Sequence, residues 1–190
     1  LQVGMPVGPL AVNDEVSLEL GRHVRVETKK AFEAEGKSYV ATPADAVIDK
    51  MVEQLNRKGR AAGAGFYEYP EGGKKHLWAG LRENFQRKDG GIPTDAEFQD
   101  MKDRLLYIQS LETIRCLEEN VLRSVADANI GSIMGIGAPP WTGGLLQFVN
   151  YVGLPEFVKR SEELAAKYGE RFSPPKLLRE MAANGKKFTK

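Results

Sequence analysis

Two glycine-rich stretches are the first residues in this chain whose spacing could handle a phosphate: residues 59–65, GRAAGAG, and residues 131–137, GSIMGIG. Both fit G-x-x-x-G-x-G, a spacing that some dinucleotide-binding turns use. That chemistry needs a strand before the glycines and a helix N-terminus after them, so that backbone amides point at the phosphates. The first stretch follows a helical pattern and runs into Phe66, Tyr67 and Tyr69. The second follows a short helical pattern and runs into Pro139-Pro140. The context therefore predicts a helix C-cap and a sharp turn at each, without a phosphate cradle.

Acid–base and metal chemistry is thinly represented. His23 has Glu19 and Glu27 four residues away on either side, the arrangement of a solvated cluster on a helix. His76 lies among lysines after a turn. Cys116 shares an apolar stripe with Leu105 and Ile108, where an inert buried thiol is expected. Glu112 falls on the same stripe, so a partly buried carboxylate is expected there, hydrogen-bonded to a loop backbone. Trp141, beside Gly143-Gly144, reads equally as the wall of a ligand groove and as the anchor of a turn. One cysteine and two histidines argue against a disulfide framework and against a His/Cys zinc site, so no metal is expected. No catalytic residue is assigned, because no nucleophile faces a base.

The elements that must position these residues read almost entirely as helix. A Gly/Pro-rich loop at 4–9 leads into an apolar run from Leu10 to Leu20, and 29–36 reads as a helical stretch ending at a glycine. Thr42-Pro43-Ala44-Asp45 opens a helix with Val47, Ile48, Met51, Val52 and Leu55 on one face, stopping near Gly59. The aromatic residues after the first glycine stretch suggest a short hairpin within 65–78. KDGGIPT, at 88–94, has the composition of a linker. Thr94 with Glu97 forms a capping box ahead of a long amphipathic helix through Phe98, Met101, Leu105, Ile108 and Cys116, with Asn120 placed to end it. Ser124 with Asp127 starts a shorter helix. A further helix begins at Leu145, and Ser173-Pro174-Pro175 caps a last one ending near Asn184-Gly185.

The same turn-into-helix pattern occurs twice. GPLAVNDEVSL at 8–18 and GLLQFVNYVGL at 144–154 share glycine, leucine, valine and leucine at equal offsets, with Asp14 answered by Asn150. The order long helix, short helix, Gly/Pro loop, helix, middle helix, Pro-capped helix describes the second copy. The first copy shows that order only from its loop onward. The expected organisation is thus all-α, with two tandem related helical units at 1–90 and 91–190, the first lacking its leading helix. Lys+Arg 27 against Asp+Glu 26 leaves a net charge of +1, with the signs interspersed, which favours neither nucleic acid nor an acidic membrane. No apolar run approaches a membrane span and no signal-peptide pattern opens the chain. A reducing, cytoplasmic setting is the natural reading. Because the chain opens on Leu1 instead of methionine, it is expected to be part of something longer.

Several segments resemble one family. Residues 5–10 with Asp14 and Val16 resemble the MGPFELxDxVGLD segment of 3-hydroxyacyl-CoA dehydrogenases, and residues 60–69 resemble their GRKTGKGFYDY segment. Residues 117–120, 127–131 and 135–144 look like the second C-terminal copy in the multifunctional α-chains of fatty-acid oxidation complexes. Ala61 and Ala64 stand where the family has lysines, and Ser17 and Asn120 where it has glycines. The resemblance implies a fold like the C-terminal domain of 6-phosphogluconate dehydrogenase, with the two copies packed as an intramolecular pseudo-dimer. It implies an oxidoreductase converting (3S)-3-hydroxyacyl-CoA to 3-ketoacyl-CoA in β-oxidation, with this chain inactive alone, since NAD and the catalytic His–Glu pair belong to an N-terminal Rossmann domain outside these residues. A fused enoyl-CoA hydratase and a thiolase subunit are the partners the resemblance names. Met5, Pro6, Gly8 and Pro9 are expected to wall the acyl-CoA substrate beside its pantetheine. A half-bundle must bury its apolar face somewhere, and the uncovered first copy gives a homodimer of the chain as a further expectation. The rival readings are a non-catalytic helical interaction module and a small dinucleotide-binding protein. Isothermal titration of the chain with NAD separates the last of these: no heat of binding is expected, and a saturable one would restore the glycine stretches as a cofactor site.

Overall fold

A computed structural model describes residues 2–86 and 91–189. Helix dominates, and the only regular strands among the described residues are two antiparallel dipeptides. The chain divides into two compact units, one of residues 7–86 with 91, the other of residues 92–189 joined by residues 2–6. The sequence assigns 2–6 to the first repeat; in the structure they pack with the second unit. Of the expected linker at 88–94, residues 88–90 lie outside the described residues.

In the N-terminal unit, α1 (Pro9–Val16) and α2 (Leu18–Ala34) are separated by one residue. The helical stretch read at 29–36 is the end of α2, closed by Gly36 at φ 70°. Helix α3 (Pro43–Asp49) starts where Thr42 and Pro43 direct it. The Asp45 carboxylate accepts from the Thr42 N–H at 2.8 Å. It runs on as a π-turn over Lys50–Gln54 and stops there, earlier than the expected Gly59, because Asn56 turns the backbone at φ 50°. Its apolar face packs as expected, Met51 and Val52 joining Leu18 and Phe66 in a small core flanked by Val47, Ile48 and Leu55. The hairpin pairs β1 (Tyr67–Glu68) with β2 (His76–Leu77), and α4 (Gly80–Phe85) follows. Arg22 and Arg25 of α2 form ion pairs with Asp45, Asp49 and Glu53 across to α3 and its π-turn.

The C-terminal unit holds the larger core. Helix α5 (Asp95–Glu118) begins at the Thr94–Glu97 capping box and ends as Asn120 takes φ 60°. It is followed by α6 (Val125–Ile136), α7 (Leu145–Val152), α8 (Leu154–Tyr168) and α9 (Lys176–Ala183). The core side of α5 differs from the expected stripe. Leu106, Tyr107, Ser110, Leu111 and Ile114 are buried, whereas Phe98, Met101 and Leu105 are more than a third exposed. Both rows are apolar and adjacent on the helix, so periodicity alone does not choose between them. Aromatic packing chooses: Tyr107 stacks on Phe157 of α8 at 4.1 Å and meets Phe148 of α7 edge-on at 6.0 Å.

The repeated pattern has a repeated backbone. The α1–α2 junction is Ser17 at φ 82°, ψ 128°, and the α7–α8 junction is Gly153 at φ 90°, ψ 126°. A side chain at such a φ costs on the order of 1–3 kcal/mol. The Lys58 carbonyl holds the strained residue in place, accepting from the Ser17 hydroxyl at 3.3 Å and the Leu18 N–H at 2.9 Å.

One polar cluster ties α5 to α8. The buried Asp100 carboxylate accepts from Arg160 at 2.7 Å, from Lys167 at 2.8 Å and from the Tyr168 hydroxyl. Burial pushes this carboxyl up from its ordinary 3.8, but hydrogen bonds from Lys167, Tyr168 and Arg160 outweigh burial and hold it at about 2. A carboxyl more acidic folded than unfolded stabilises above its unfolded value and loses that contribution as pH falls through its folded one. The loss therefore spans pH 3.8 down to about 2. Asp100→Asn is expected to cost about 2–3 kcal/mol in urea unfolding at neutral pH, and most of that difference should vanish near pH 2. A pH-independent difference would mean that the carboxylate charge is not what binds α5 to α8.

Candidate functional site

The segment expected to wall a substrate lies on both units. In the C-terminal unit, Val3 is buried and Met5 packs at the edge of the core. The Trp141 indole N–H donates to the Val3 carbonyl at 2.8 Å. Gly4 sits at φ 92° so close to that ring that a Cβ would lie 2.8 Å from it. Pro6 is exposed. In the N-terminal unit, Gly8 is the N-cap of α1 and Pro9, exposed, is its first helical residue. The structure thus places Met5 and Pro6 with one unit and Gly8 and Pro9 with the other.

Helices α1 and α7 begin differently. At α7 the first amides are capped by buried side chains from α6: Asn129 Oδ1 accepts from Leu146 and Gln147 at 3.1 and 3.2 Å, and Ser132 Oγ accepts from Leu145 at 3.2 Å. A Cβ on Gly144 would fall 2.4 Å from Asn129 Cβ, so only glycine lets α7 approach this cap. At α1 no side chain caps the helix, and Pro9 removes one of the amides that would need a partner. Asn129 and Ser132 escaped the sequence reading because their partners lie 17 and 13 residues away, beyond the span of local capping patterns.

Neither glycine stretch forms a phosphate cradle. Residues 131–136 are interior to α6, and only Gly137, left-handed at φ 68°, is a C-cap. In residues 59–65, Gly59 and Gly65 make room for Asp14. A Cβ on Gly65 would lie 2.1 Å from Asp14 Oδ1, and one on Gly59 would lie 2.7 Å from the Asp14 carbonyl. The Asp14 side chain is wholly buried and accepts from the N–H groups of Phe66 and Tyr67 at 2.7 and 2.9 Å and from the Tyr69 hydroxyl at 2.9 Å. Burial, then the Asp14 carboxylate, pushes the Tyr69 phenol up, so it stays a donor. Asn150 holds the equivalent place in the second repeat, accepting from the Phe188 N–H at 2.9 Å and donating to its carbonyl at 2.8 Å.

The remaining candidates stay apart. His23 is exposed on α2, and His76 is exposed in β2. Cys116 is half-buried on α5. Glu112, expected on the buried side, is exposed and pairs with Arg115 at 3.1 Å, because the core takes the adjacent row of α5. Trp141 anchors its turn through Val3 and meets Phe148 edge-on at 5.9 Å. Among the described residues no cluster of three His, Cys, Asp or Glu could hold a metal, and no helix is long and apolar enough to cross a membrane. What this arrangement offers chemically is rigid apolar wall and shaped loop.

Comparison with known proteins agrees with the motifs. Residues 1–69 match the family described as 3-hydroxyacyl-CoA dehydrogenase, C-terminal domain. Over 189 residues, 99% of its length, the chain is 35% identical to the fatty acid oxidation complex subunit alpha of Shewanella amazonensis, covering 26% of that protein. It is 34% identical over 190 residues to the subunit of the same name from Shewanella sp. (strain MR-4), again covering 26%. The chain therefore spans about a quarter of the length of the curated relatives it matches. Among solved structures, 3-hydroxybutyryl-CoA dehydrogenase from Escherichia coli aligns with 96% of this chain and 52% of its own, at a TM-score of 0.58 and 17% identity, which supports the fold.

The clearance at Gly65 gives a direct test of the Asp14 tie. Gly65→Ala is expected to destabilise the N-terminal unit by about 2–4 kcal/mol, since a buried, hydrogen-bonded carboxylate must be displaced. Gly63→Ala, with open space around it but φ at 77°, should cost about 1 kcal/mol through the backbone alone. Hydrogen exchange of the Phe66 and Tyr67 amides reads the outcome, and equal effects of the two variants would refute the packing argument.

Proposed function

We propose that this chain, a 3-hydroxyacyl-CoA dehydrogenase C-terminal region by its sequence, serves a dehydrogenase of fatty-acid β-oxidation as its helical wall and packing scaffold. The reaction is oxidation of a (3S)-3-hydroxyacyl-CoA to the 3-ketoacyl-CoA. The hydride acceptor is NAD, bound by a Rossmann domain that these residues do not include. The observation that carries the reading is the alignment of 99% of the chain with fatty acid oxidation α-subunits. In that supporting role the chain alone does not turn over substrate.

Within that reading, Met5, Pro6, Gly8 and Pro9 line the acyl-pantetheine side of the cleft. Met5 supplies an adaptable apolar side chain. Pro6 and Pro9 fix the loop path, and Gly8 leaves room beside the ligand. A fused hydratase and a thiolase subunit complete the proposed assembly, in the cytoplasm. Self-association of the isolated chain follows from the exposed apolar residues of α1 and α2, Leu10, Val12, Val16, Leu20 and Val24.

The test joins this chain to the Rossmann domain of an α-subunit relative and measures 3-hydroxyacyl-CoA oxidation. Activity is expected from the joined protein and none from the chain alone. Met5→Gly should raise KM about three- to tenfold through lost apolar contact, with a smaller effect on kcat. Turnover by the chain alone would overturn the scaffold role, and unchanged acyl-CoA kinetics in Met5→Gly and Pro6→Ala would remove the loop from the substrate wall.

A further inference from the structure

One face of α5 carries a concavity that the proposed function does not use. It lies wholly within the C-terminal unit, has a volume of about 290 Å³, and is walled by Tyr107, Trp141, Phe148 and Val152 with Lys102 among its polar lining residues. Residues 99, 102, 103, 106 and 107 reach it together because they are three, four, seven and eight positions apart on one helix face. The aromatic walls are rigid. Tyr107 is stacked on Phe157, and Phe148 meets both Tyr107 and Trp141 edge-on.

The polar groups are unequal in their partners. Asp103 is fully occupied, its Oδ1 accepting from Gln99 at 2.8 Å and its Oδ2 from Arg160 at 2.9 Å. Arg160 thus balances its charge. Tyr107 is 5% exposed, and its hydroxyl makes no hydrogen bond with any described residue. The hydroxyl is not sealed from solvent, and as an unpaired donor at the concavity it is available to an acceptor brought by a ligand. Lys102 forms no ion pair with a described residue, and its ammonium is held 5.4 Å from the Phe98 ring centroid. The Tyr107 phenol is pushed up, chiefly by burial and then by Asp103, which keeps it a donor.

From this geometry we infer that the concavity is a binding site for a compact monocarboxylate with a flat or short apolar body. The body packs between Trp141, Phe148 and Val152, while the carboxylate takes the Tyr107 hydroxyl and the Lys102 ammonium. An apolar slot with two donors and one uncompensated positive charge selects a single negative charge over a neutral or dianionic ligand. The site is separate from the Met5–Pro9 wall and does not depend on the dehydrogenase reading.

Benzoate is the probe, titrated into the whole chain by calorimetry and by amide and indole NMR shifts, with benzyl alcohol as the uncharged counterpart. Benzoate is expected to bind with a dissociation constant of roughly a millimolar, fitting its few heavy atoms, and to move the Trp141 indole resonance. Lys102→Met and Tyr107→Phe each keep the helix and the ring stacking, and each should weaken benzoate about fivefold to tenfold. Lys176→Met, on α9, should change nothing. Benzyl alcohol should bind more weakly than benzoate and be indifferent to Lys102→Met. Benzoate binding that neither variant weakens, equal affinity for the alcohol, or no binding at all would each overturn the site.

Discussion

A carboxylate with no access to water organises the N-terminal unit. Asp14 sits on α1 with its side chain wholly buried, and two backbone amides and a phenol converge on it from the chain 52 to 55 residues later. Burying a charge without partners is prohibitive, so the turn that carries these donors must close over α1 in one register. That requirement explains Gly59 and Gly65, which stand where any side chain would strike Asp14. Among the described residues of this unit only five apolar ones are buried, so polar ties such as this one and the ion pairs of Arg22 and Arg25 to α3 and its π-turn carry much of its definition.

The C-terminal unit reaches a related architecture by a different balance. Its counterpart of Asp14 is the amide Asn150, whose NH2 donates to the Phe188 carbonyl and to Gln147 Oε1 and whose oxygen accepts from the Phe188 N–H. An amide suits a partner that offers N–H and C=O together, whereas a carboxylate suits three donors. Here fifteen buried apolar residues form the core, and aromatic stacking of Tyr107, Phe148 and Phe157 selects the side of α5 that faces inward. The shared junction geometry at Ser17 and Gly153 persists although only one of the two is the residue that the backbone prefers.

Resemblance to the dehydrogenase family and the helical elements are tied together by this economy. Of the glycines that look like a nucleotide motif, Gly59 and Gly65 are explained by close approach to Asp14, whereas Gly131 and Gly135 lie within α6 with open space around them. A motif pattern records that small residues are needed, and only the neighbour shows why. The first apparent cofactor turn therefore becomes a packing device, and the second is helix closed by Gly137.

Local chemistry made much of this protein legible in its sequence. The helix start at Thr42, the capping box at Thr94, the left-handed ends at Gly36, Asn120 and Gly185, the short hairpin and each copy of the doubled GPL/GLL pattern involve residues a few positions apart, where propensity and hydrogen-bond reach suffice. Ordered motifs likewise carried the family. Tertiary structure alone decided which of two apolar rows on α5 is core, leaving Glu112 outside. It alone joined Asn129 to α7, Asp14 to the hairpin, and residues 2–6 to the second unit. Those choices depend on partners far along the chain, and the energy that selects among them comes from burial and from satisfying hidden polar groups, which exist only once the chain has closed on itself.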